Sequence, residues 1–278
     1  MRKLVIDSEN RRSENDNWIT VPETTLGYSP DKVDMIANLL QQAKDQATKY
    51  LHREINITTV GYPNHLDAIA GAHICDTVYN ANATSLVFDW HVHKFLDAVR
   101  RAYGLNTCLA LGHPEDCDST DSNNWILFID LGIEGLLNLW AGDVTEYGVF
   151  VGDREERHEK YCLDEDSRSA TEIQSSLDKL PQILDGFIKS HLPLDCNGDL
   201  RAIILSGESS PNEILVVKQA LLLVISETWK PLIRDEFDPM FVAAMGTARR
   251  AQLQIDDSSF HRDIQGYYME DPQDHDEL

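Results

Sequence analysis

Two apolar runs separated by a very short link are the feature of this sequence that most restricts its fold. WILFIDLG begins at Trp125 and LLNLWAGDV ends at Val144, with only the residues IEG between them. Such runs, bounded by glycine, predict strands, and the short link predicts that the two strands are neighbours. The stretch YGVFVGD that follows predicts a third strand.

Elsewhere, helical periodicity alternates with short apolar runs. The segment after Ser29 and Pro30 repeats apolar residues at helical spacing, and Gly104 closes a later helix. In chain order we predict the helix YSPDKVDMIANLLQQAKDQATKYLH, the strand NITTVGYPN, the helix HLDAIAGAHICDTVYNA, the strand SLVF and the helix HKFLDAVRRAY. This alternation predicts an α/β fold.

The C-terminal half carries two helix starts that contain proline. Ser210 and Glu213 predict a capping box around Pro211. Asp238 likewise predicts a helix cap, with Pro239 at the first helical position. The charged stretch DREERHEKYCLDEDSRS is predicted as a solvated loop or a helix start, and TEIQSSLDKLPQILDGFIKSHL as a helix with a break or kink at its proline, Pro181. The last helix has small residues that would let another element approach closely: Ala243, Ala244, Gly246 and Ala248.

Composition divides the chain into four parts. We predict a polar N-terminal arm over residues 1–28, a first lobe over 29–117, a second lobe over 118–255 and an acidic tail over 256–278. The acidic, turn-rich stretch HPEDCDSTDSN marks the boundary between the lobes.

The charge of the chain excludes two classes of partner. A formal net charge of −23 would repel nucleic acid and anionic membranes before any specific contact formed. The chain also has no apolar stretch of the ~18 residues that a membrane span needs. We therefore expect neither nucleic-acid binding nor membrane insertion.

Targeting signals and cysteines bear on the cellular compartment. The first residues lack the apolar region of a signal peptide, and five scattered cysteines without a CxxC pair suit reduced thiols. We therefore expect a cytoplasmic protein. The final HDEL, His275–Leu278, is an ER-retention address only for a protein that has entered the lumen. It is therefore an accident of an acidic tail, or a relic of a luminal ancestor or of a lost leader.

The order of these elements resembles the ATPase domain of the seventy-kilodalton heat-shock chaperones, within the actin-like ATPase superfamily. ILFIDLGIEGLLNLWAGDV is similar to its second phosphate hairpin, AIILSGESSPNEI to its adenosine motif, and DPMFVAAMGTARRA to its closing helix; the segment from YSPDKV to GYPN resembles the helix and strand before its first crossover. The resemblance covers most of residues 28–252. It implies an actin-like (ribonuclease H-like) two-lobe α/β architecture.

The chain departs from the family pattern in three places. The glycine-rich first phosphate hairpin has no counterpart, and FDWHVHKFLDA stands where the family has an acidic-proline signature. The interval from Asp130 to Ser206 is also much shorter than the family's. The resemblance therefore implies a truncated first lobe and a reduced outer subdomain in the second.

The hairpin also departs within its phosphate-binding residues. By resemblance, Asp130 corresponds to an aspartate that acts near magnesium, and Gly132 and Gly135 to glycines that bind phosphate. Between them stand Ile133, whose branched side chain blocks close approach, and Glu134, whose carboxylate would face phosphate. Two like charges ~4 Å apart repel by ~4 kcal/mol at an effective dielectric constant of ~20. We therefore expect that ATP is not hydrolysed.

In the family, the nucleotide binds in a cleft between the two lobes. By resemblance, the adenosine-motif stretch SGESS lies on the wall of this cleft opposite the hairpin. By resemblance, the candidate cofactor-binding residues are Gly207, Ser209 and Ser210. Two of them can also be explained without a ligand, because Gly207 can form the turn and Ser210 can cap the helix.

Carboxylates of the cleft are candidate catalytic groups. Glu208, with Asp130 and Glu134, could act as acid or base if the cleft is dry. The simpler alternative is that Asp130 braces the hairpin and Glu208 is solvated.

The preferred function is the binding of a small organic ligand in the former nucleotide cleft. If the protein is an enzyme, we expect it to be a cofactor-free cyclase, isomerase or lyase. The alternatives are a pseudo-ATPase that regulates or scaffolds, and a residual chaperone-like ATPase. We expect no cofactor and no metal. A zinc site using His91, His93, His113 and Cys117 is a weaker alternative, because the spacing of the ligands is not specific.

A truncated first lobe should expose a sheet edge, and such edges are normally covered or paired. We therefore predict a homodimer through this lobe. Light scattering at micromolar concentration should give twice the chain mass, and a strictly monomeric protein would argue against the prediction.

Overall fold

The described part of the chain alternates strands and helices around one mixed sheet. The computed structural model describes residues 30–63, 74–75, 77–78, 92–117, 123–132, 135–145, 148–150, 154–158, 170–192 and 199–256. Its helices are α1 (Pro30–Leu51), α2 (Phe95–Ala102), α3 (Ala170–His191), α4 (Pro211–Val224) and α5 (Val242–Asp256). Its strands are β1 (Val60–Tyr62), β2 (Val92–Lys94), β3 (Trp125–Leu131), β4 (Leu137–Val144), β5 (Val149–Phe150), β6 (Glu155–His158), β7 (Leu200–Ser206) and β8 (Ile233–Arg234).

The main sheet has the strand order β5-β4-β3-β7-β8, and β6 also pairs with β4. Strand β3 is antiparallel to β4, as the short link predicted, and parallel to β7. In these pairings Asp130 lies opposite Asn138 on one side and opposite Ser206 on the other. The mixed sheet with its helices confirms the predicted α/β class.

Helices cover both faces of this sheet. Side chains on β3 alternate between the faces, because successive residues of a strand point in opposite directions. One face packs against α3 and α4 in a core that includes Leu127, Ile129, Leu184, Phe187 and Leu221. The other face packs against α2 and α5 through Leu96, Val99, Phe128, Ile204 and Val242. Helix α2 thus shares a core with the main sheet.

A small second sheet lies beside this assembly. Strands β1 and β2 pair in parallel, with Val60 opposite Val92. Leu40 of α1 packs against the buried Val92, so α1 contributes to the same small cluster. The predicted arm, the acidic tail with its HDEL, and most of the predicted HLDAIAGAHICDTVYNA helix lie outside the described residues.

The structure corrects one prediction for residues 118–255 and, of the two alternatives at Pro181, excludes the break. The charged stretch expected as a loop or helix start contains β6, whose pairing with β4 aligns His158 with Leu137. An edge strand with polar side chains carries no apolar periodicity, so its pairing is not visible in the sequence. Helix α3 also runs unbroken through Pro181, and the buried Leu180 and Leu184 hold both halves of the helix in the core.

The expectation of reduced thiols was wrong for one pair of cysteines. Cys108 and Cys117 form a disulfide with their Cα atoms 5.8 Å apart. The turns between them bring Leu111 into the core, where it is 1% exposed. Sequence spacing alone could not show that the turns bring the two cysteines together.

Helices α2 and α5 cross at very close range. A Cβ atom placed on Gly246 would lie 1.8 Å from the carbonyl oxygen of Ala98 and 2.3 Å from its carbonyl carbon. Only glycine fits here, which confirms the prediction that the small residues of α5 allow close approach. Arg249 donates hydrogen bonds across the crossing to the carbonyl oxygens of Arg101 and Ala102.

This crossing leads to a stability prediction. The substitution Gly246→Ala should destabilise the protein by about 1–3 kcal/mol, because the helices must separate to admit the methyl group. Gly186→Ala is the matched control: Gly186 lies in α3, and no atom lies within 4 Å of the position that its new methyl group would take. That change should instead stabilise by about 0.5–1 kcal/mol. Urea unfolding measures the free energy of unfolding of both variants. An unchanged free energy of unfolding for Gly246→Ala would contradict the close crossing.

Candidate functional site

An open cleft of about 480 Å³ lies where the C-terminal ends of β3 and β7 meet α5. The segment before β1 and the first residue of α2 complete its wall. The lining residues that matter most for its chemistry are Thr59, Phe95, Asp130, Ser206, Glu208 and Thr247. Alanines of α5 form one side, so that the helix occupies little of the space: Ala243, Ala244, Ala248 and Ala251.

Asp130 is fixed at the base of the cleft by its two neighbouring strands. Ser206 Oγ donates a hydrogen bond to Asp130 Oδ1 at 2.7 Å, and Asn138 Nδ2 donates to Oδ2 at 3.2 Å. Both donors follow from the strand register, which places these residues directly opposite the aspartate. The carboxylate is therefore held as a hydrogen-bond acceptor at the end of β3.

The turn after β7 is built around Gly207. Its φ of +133° is a conformation that residues with a Cβ rarely adopt, and a Cβ would lie 2.0 Å from the Leu131 carbonyl oxygen. Ser209 Oγ donates to the Gly132 carbonyl oxygen at 2.8 Å. These contacts tie the turn after β7 to the end of β3.

The five candidate cofactor-binding residues share one property: each backbone N–H donates to an acceptor within the chain. The donor–acceptor pairs are Gly132 to the Leu136 carbonyl at 2.9 Å, Gly135 to Gly132 at 3.3 Å, Gly207 to Pro239 at 3.3 Å, Ser209 to Leu131 at 3.2 Å, and Ser210 to Glu213 Oε2 at 2.9 Å. Phosphate sites use backbone N–H groups as donors. These five groups are already engaged in holding the turns together.

The N-terminus of α4 carries the predicted capping box. Ser210 Oγ accepts from the Glu213 backbone N–H, and the Glu213 carboxylate accepts from the Ser210 N–H. The predicted cap at Asp238 is also confirmed, since its carboxylate accepts from the Met240 N–H at 3.1 Å. A carboxylate of the protein therefore already lies at the N-terminus of α4.

The candidate catalytic carboxylates are placed differently from one another. Glu208 lines the cleft but is exposed, as the simpler alternative for this residue expected. Glu134 and the neighbouring Ile133 lie outside the described residues. Asp130 and Glu208 thus share one cleft, with Asp130 anchored by hydrogen bonds and Glu208 at the solvent side.

A buried histidine lies behind the cleft wall. His93 is 6% exposed, with Nδ1 3.3 Å from Thr59 Oγ1 and Nε2 3.5 Å from Thr247 Oγ1. It links the segment before β1 to α5. Sequence reasoning missed this role, because the two threonines are 188 positions apart in the chain and only the fold brings them together.

Charged groups from α2 and α5 surround this histidine. Asp97 accepts from Arg100 Nε at 2.8 Å and pairs with Arg250, and Arg101 lies nearby. Burial, followed by the positive charge of Arg250, lowers the pKa of His93 to about 3. Burial alone would raise the pKa of Asp97, but the guanidinium groups of Arg100 and Arg250 hold it well below its usual range.

The weaker zinc alternative finds no support in the part of the chain that the structure describes. There, no group of three potential ligands could hold a metal. His113 Nε2 instead lies 2.7 Å from Asn124 Oδ1, and Cys117 is bonded to Cys108, while His91 lies outside this part. Among the same residues, no helix has the length and hydrophobicity needed to cross a membrane.

Comparison of the chain with models of known protein families gave no match, and comparison with curated proteins gave no similar sequence.

The environment of His93 predicts a pH dependence of stability. As pH falls below ~6.5 the unfolded chain binds a proton at this residue, whereas the folded chain does not until about pH 3. The free energy of unfolding should therefore fall towards low pH, with His93 adding up to about 1.4 kcal/mol per pH unit to the slope. In urea titrations from pH 7 to 4, His93→Gln should have a shallower slope than wild type, and equal slopes would refute the prediction.

Proposed function

We propose that this protein has an actin-like two-lobe fold whose cleft holds a small organic ligand and no longer hydrolyses ATP. The first lobe would be truncated and the outer part of the second reduced. The observation that carries the proposal is the cleft itself. Its wall contains Asp130 from the hairpin, Gly207 from the adenosine-motif stretch and α5, the helix similar to the family's closing helix.

The backbone N–H groups at the cleft are poorly suited to ATP hydrolysis. The turn that would contact a nucleotide uses the N–H groups of Gly207, Ser209 and Ser210 for bonds within the protein. A phosphate chain would have to break these bonds or do without them, and it would lie beside the carboxylate of Asp130. The engaged N–H groups favour a ligand without phosphate.

A catalytic version of this function would use Asp130 and Glu208 as its acid and base, with Glu134 as a third candidate. Asp130 is the better positioned of the two described groups, because two hydrogen bonds fix its orientation. A fixed carboxylate can accept a proton from a bound substrate or orient it. No cofactor is part of this proposal.

A pseudo-ATPase that works as a regulator or scaffold is the second candidate. The observation that favours it is the outer side of α4, where Leu215 is 51% and Leu223 is 78% exposed. Exposed apolar residues on one helix can form a protein-binding surface. The residual chaperone-like ATPase is the third candidate, and it would need donors for phosphate from elsewhere.

A homodimer completes the proposal, and an oxidising compartment replaces the cytoplasmic location expected from the sequence. Met35 and Leu39 of α1 are more than half exposed, which supports contact with another chain at the first lobe. The Cys108–Cys117 disulfide argues for an oxidising compartment instead of the cytoplasm, because disulfides are rare where thiols are kept reduced.

The proposed function is tested by ligand titration of a cleft-filling variant. Ala248 lies exposed on α5 within the cleft, so Ala248→Phe should fill the cleft and still fold. A ligand at ~100 times its dissociation constant stabilises the folded state by ~2.7 kcal/mol. In thermal-shift screening, we expect small organic ligands that stabilise wild type and do not stabilise Ala248→Phe.

Ala43→Phe is the matched control, because Ala43 is an exposed alanine of α1 that does not line the cleft. It should bind the same ligands as wild type. Saturable binding and hydrolysis of magnesium–ATP would contradict the proposal. A screen in which no ligand distinguishes Ala248→Phe from Ala43→Phe would favour the scaffold.

A further inference from the structure

We infer that the ligand of the cleft is a small organic cation, an amine or a quaternary ammonium compound. This inference rests on the proposed function and names the ligand class of the same cleft. It is carried by the charges of the cleft wall, by the closed N-terminus of α4 and by an aromatic ring.

The charged groups that line the cleft are all negative among the residues that the structure describes. Asp130 and Glu208 contribute carboxylates, and no described lining residue is Lys, Arg or His. The other polar side chains are the hydroxyl groups of Thr58, Thr59, Thr247 and Ser206. Attraction between a cation and two carboxylates favours a positively charged ligand, whereas an anion would be repelled.

The guanidinium groups around His93, behind the cleft wall, pair with groups outside the cleft lining. Arg250 is 5% exposed and pairs with Asp97, and Arg100 donates to Asp97 and to the Thr145 carbonyl oxygen. These guanidinium groups belong to the crossing of α2 and α5. They are not among the residues that line the cleft.

The helix N-terminus closest to Glu208 is also closed to anions. A helix N-terminus attracts negative charge through its free N–H groups and its dipole. At α4 this position is taken by the Glu213 carboxylate, which accepts from both the N–H and the hydroxyl of Ser210 at 2.9 Å. An anionic ligand would have to compete with this internal carboxylate.

Phe95 adds an aromatic ring to the cleft wall. Its ring lines the cleft next to Gly61, where the nearest ring carbons would lie 3.2 Å from a Cβ placed on the glycine. The face of an aromatic ring attracts a cation, and quaternary ammonium groups are bound in this way. The cleft lining thus offers a cation two carboxylates and an aromatic ring.

The test uses matched compounds of one shape and three charges. Choline, 3,3-dimethyl-1-butanol and 3,3-dimethylbutanoate have head groups of similar bulk and are respectively cationic, neutral and anionic, and further matched triplets of amines extend the panel. Dissociation constants are measured by NMR titration at low salt. We expect the cation of each triplet to bind at least about tenfold more tightly than its neutral partner, with the preference reduced by added salt.

Variants connect this preference to the cleft. Glu208→Gln should reduce the preference for the cation severalfold, because it removes an exposed carboxylate of the wall and leaves the core intact. Phe95→Leu should weaken binding of choline more than binding of its neutral partner. Glu115→Gln removes the same charge from an exposed position in the disulfide-closed segment and should leave the preference unchanged.

The outcomes separate this inference from the proposed function. Neutral or anionic members that bind as tightly as the cation, and whose binding is lost in Ala248→Phe, would overturn the cation inference and leave the small-ligand function standing. If Ala248→Phe binds every member of the panel and every hit of the screen as wild type does, both fail. An equal loss of preference in Glu115→Gln and Glu208→Gln would show that net charge alone is responsible, which also overturns the inference.

Discussion

The close crossing of α2 and α5 is the contact on which the rest of the structure depends. Gly246 lies so near the Ala98 carbonyl that no side chain fits between the helices. Helix α2 begins at Phe95 and α5 carries the alanine side of the cleft, so both helices contribute to its wall. The same pair of helices also covers one face of the main sheet. Core packing and the shape of the cleft therefore share one constraint.

A buried ionic cluster reinforces the crossing at an energetic cost. Taking charges out of water is unfavourable, and a buried pair offsets this cost only when its geometry is good and its hydrogen bonds are made. Asp97 meets this condition by contacting Arg100 on its own helix and Arg250 on α5. Burial, followed by the charge of Arg100, lowers the pKa of Arg101 to about 9, which reflects the cost of burying one guanidinium group beside another. The pair of Asp97 with Arg250 thereby joins one surface of α2 to one surface of α5.

The turns that frame the cleft are held together by hydrogen bonds within the protein. The turn at Gly207 is joined to β3 through Ser209, and the N-terminus of α4 is closed by Glu213. These bonds stabilise the fold without a ligand. They also leave carboxylates and hydroxyl groups as the polar surface of the cleft. Function therefore has to be argued from this surface, because one fold can carry many activities.

The sequence by itself determined the features that depend on neighbouring residues: the hairpin of β3 and β4, the caps at Ser210 and Asp238, and the small residues of α5. Propensity, capping and turn chemistry act over a few positions, so they are readable along the chain. Only the tertiary structure decided the pairing of β6, the Cys108–Cys117 bond and the meeting of Phe95 and Asp130 in one cleft. Each of these requires segments separated in sequence to meet, and such meetings are set by packing against the whole core, which no local pattern records.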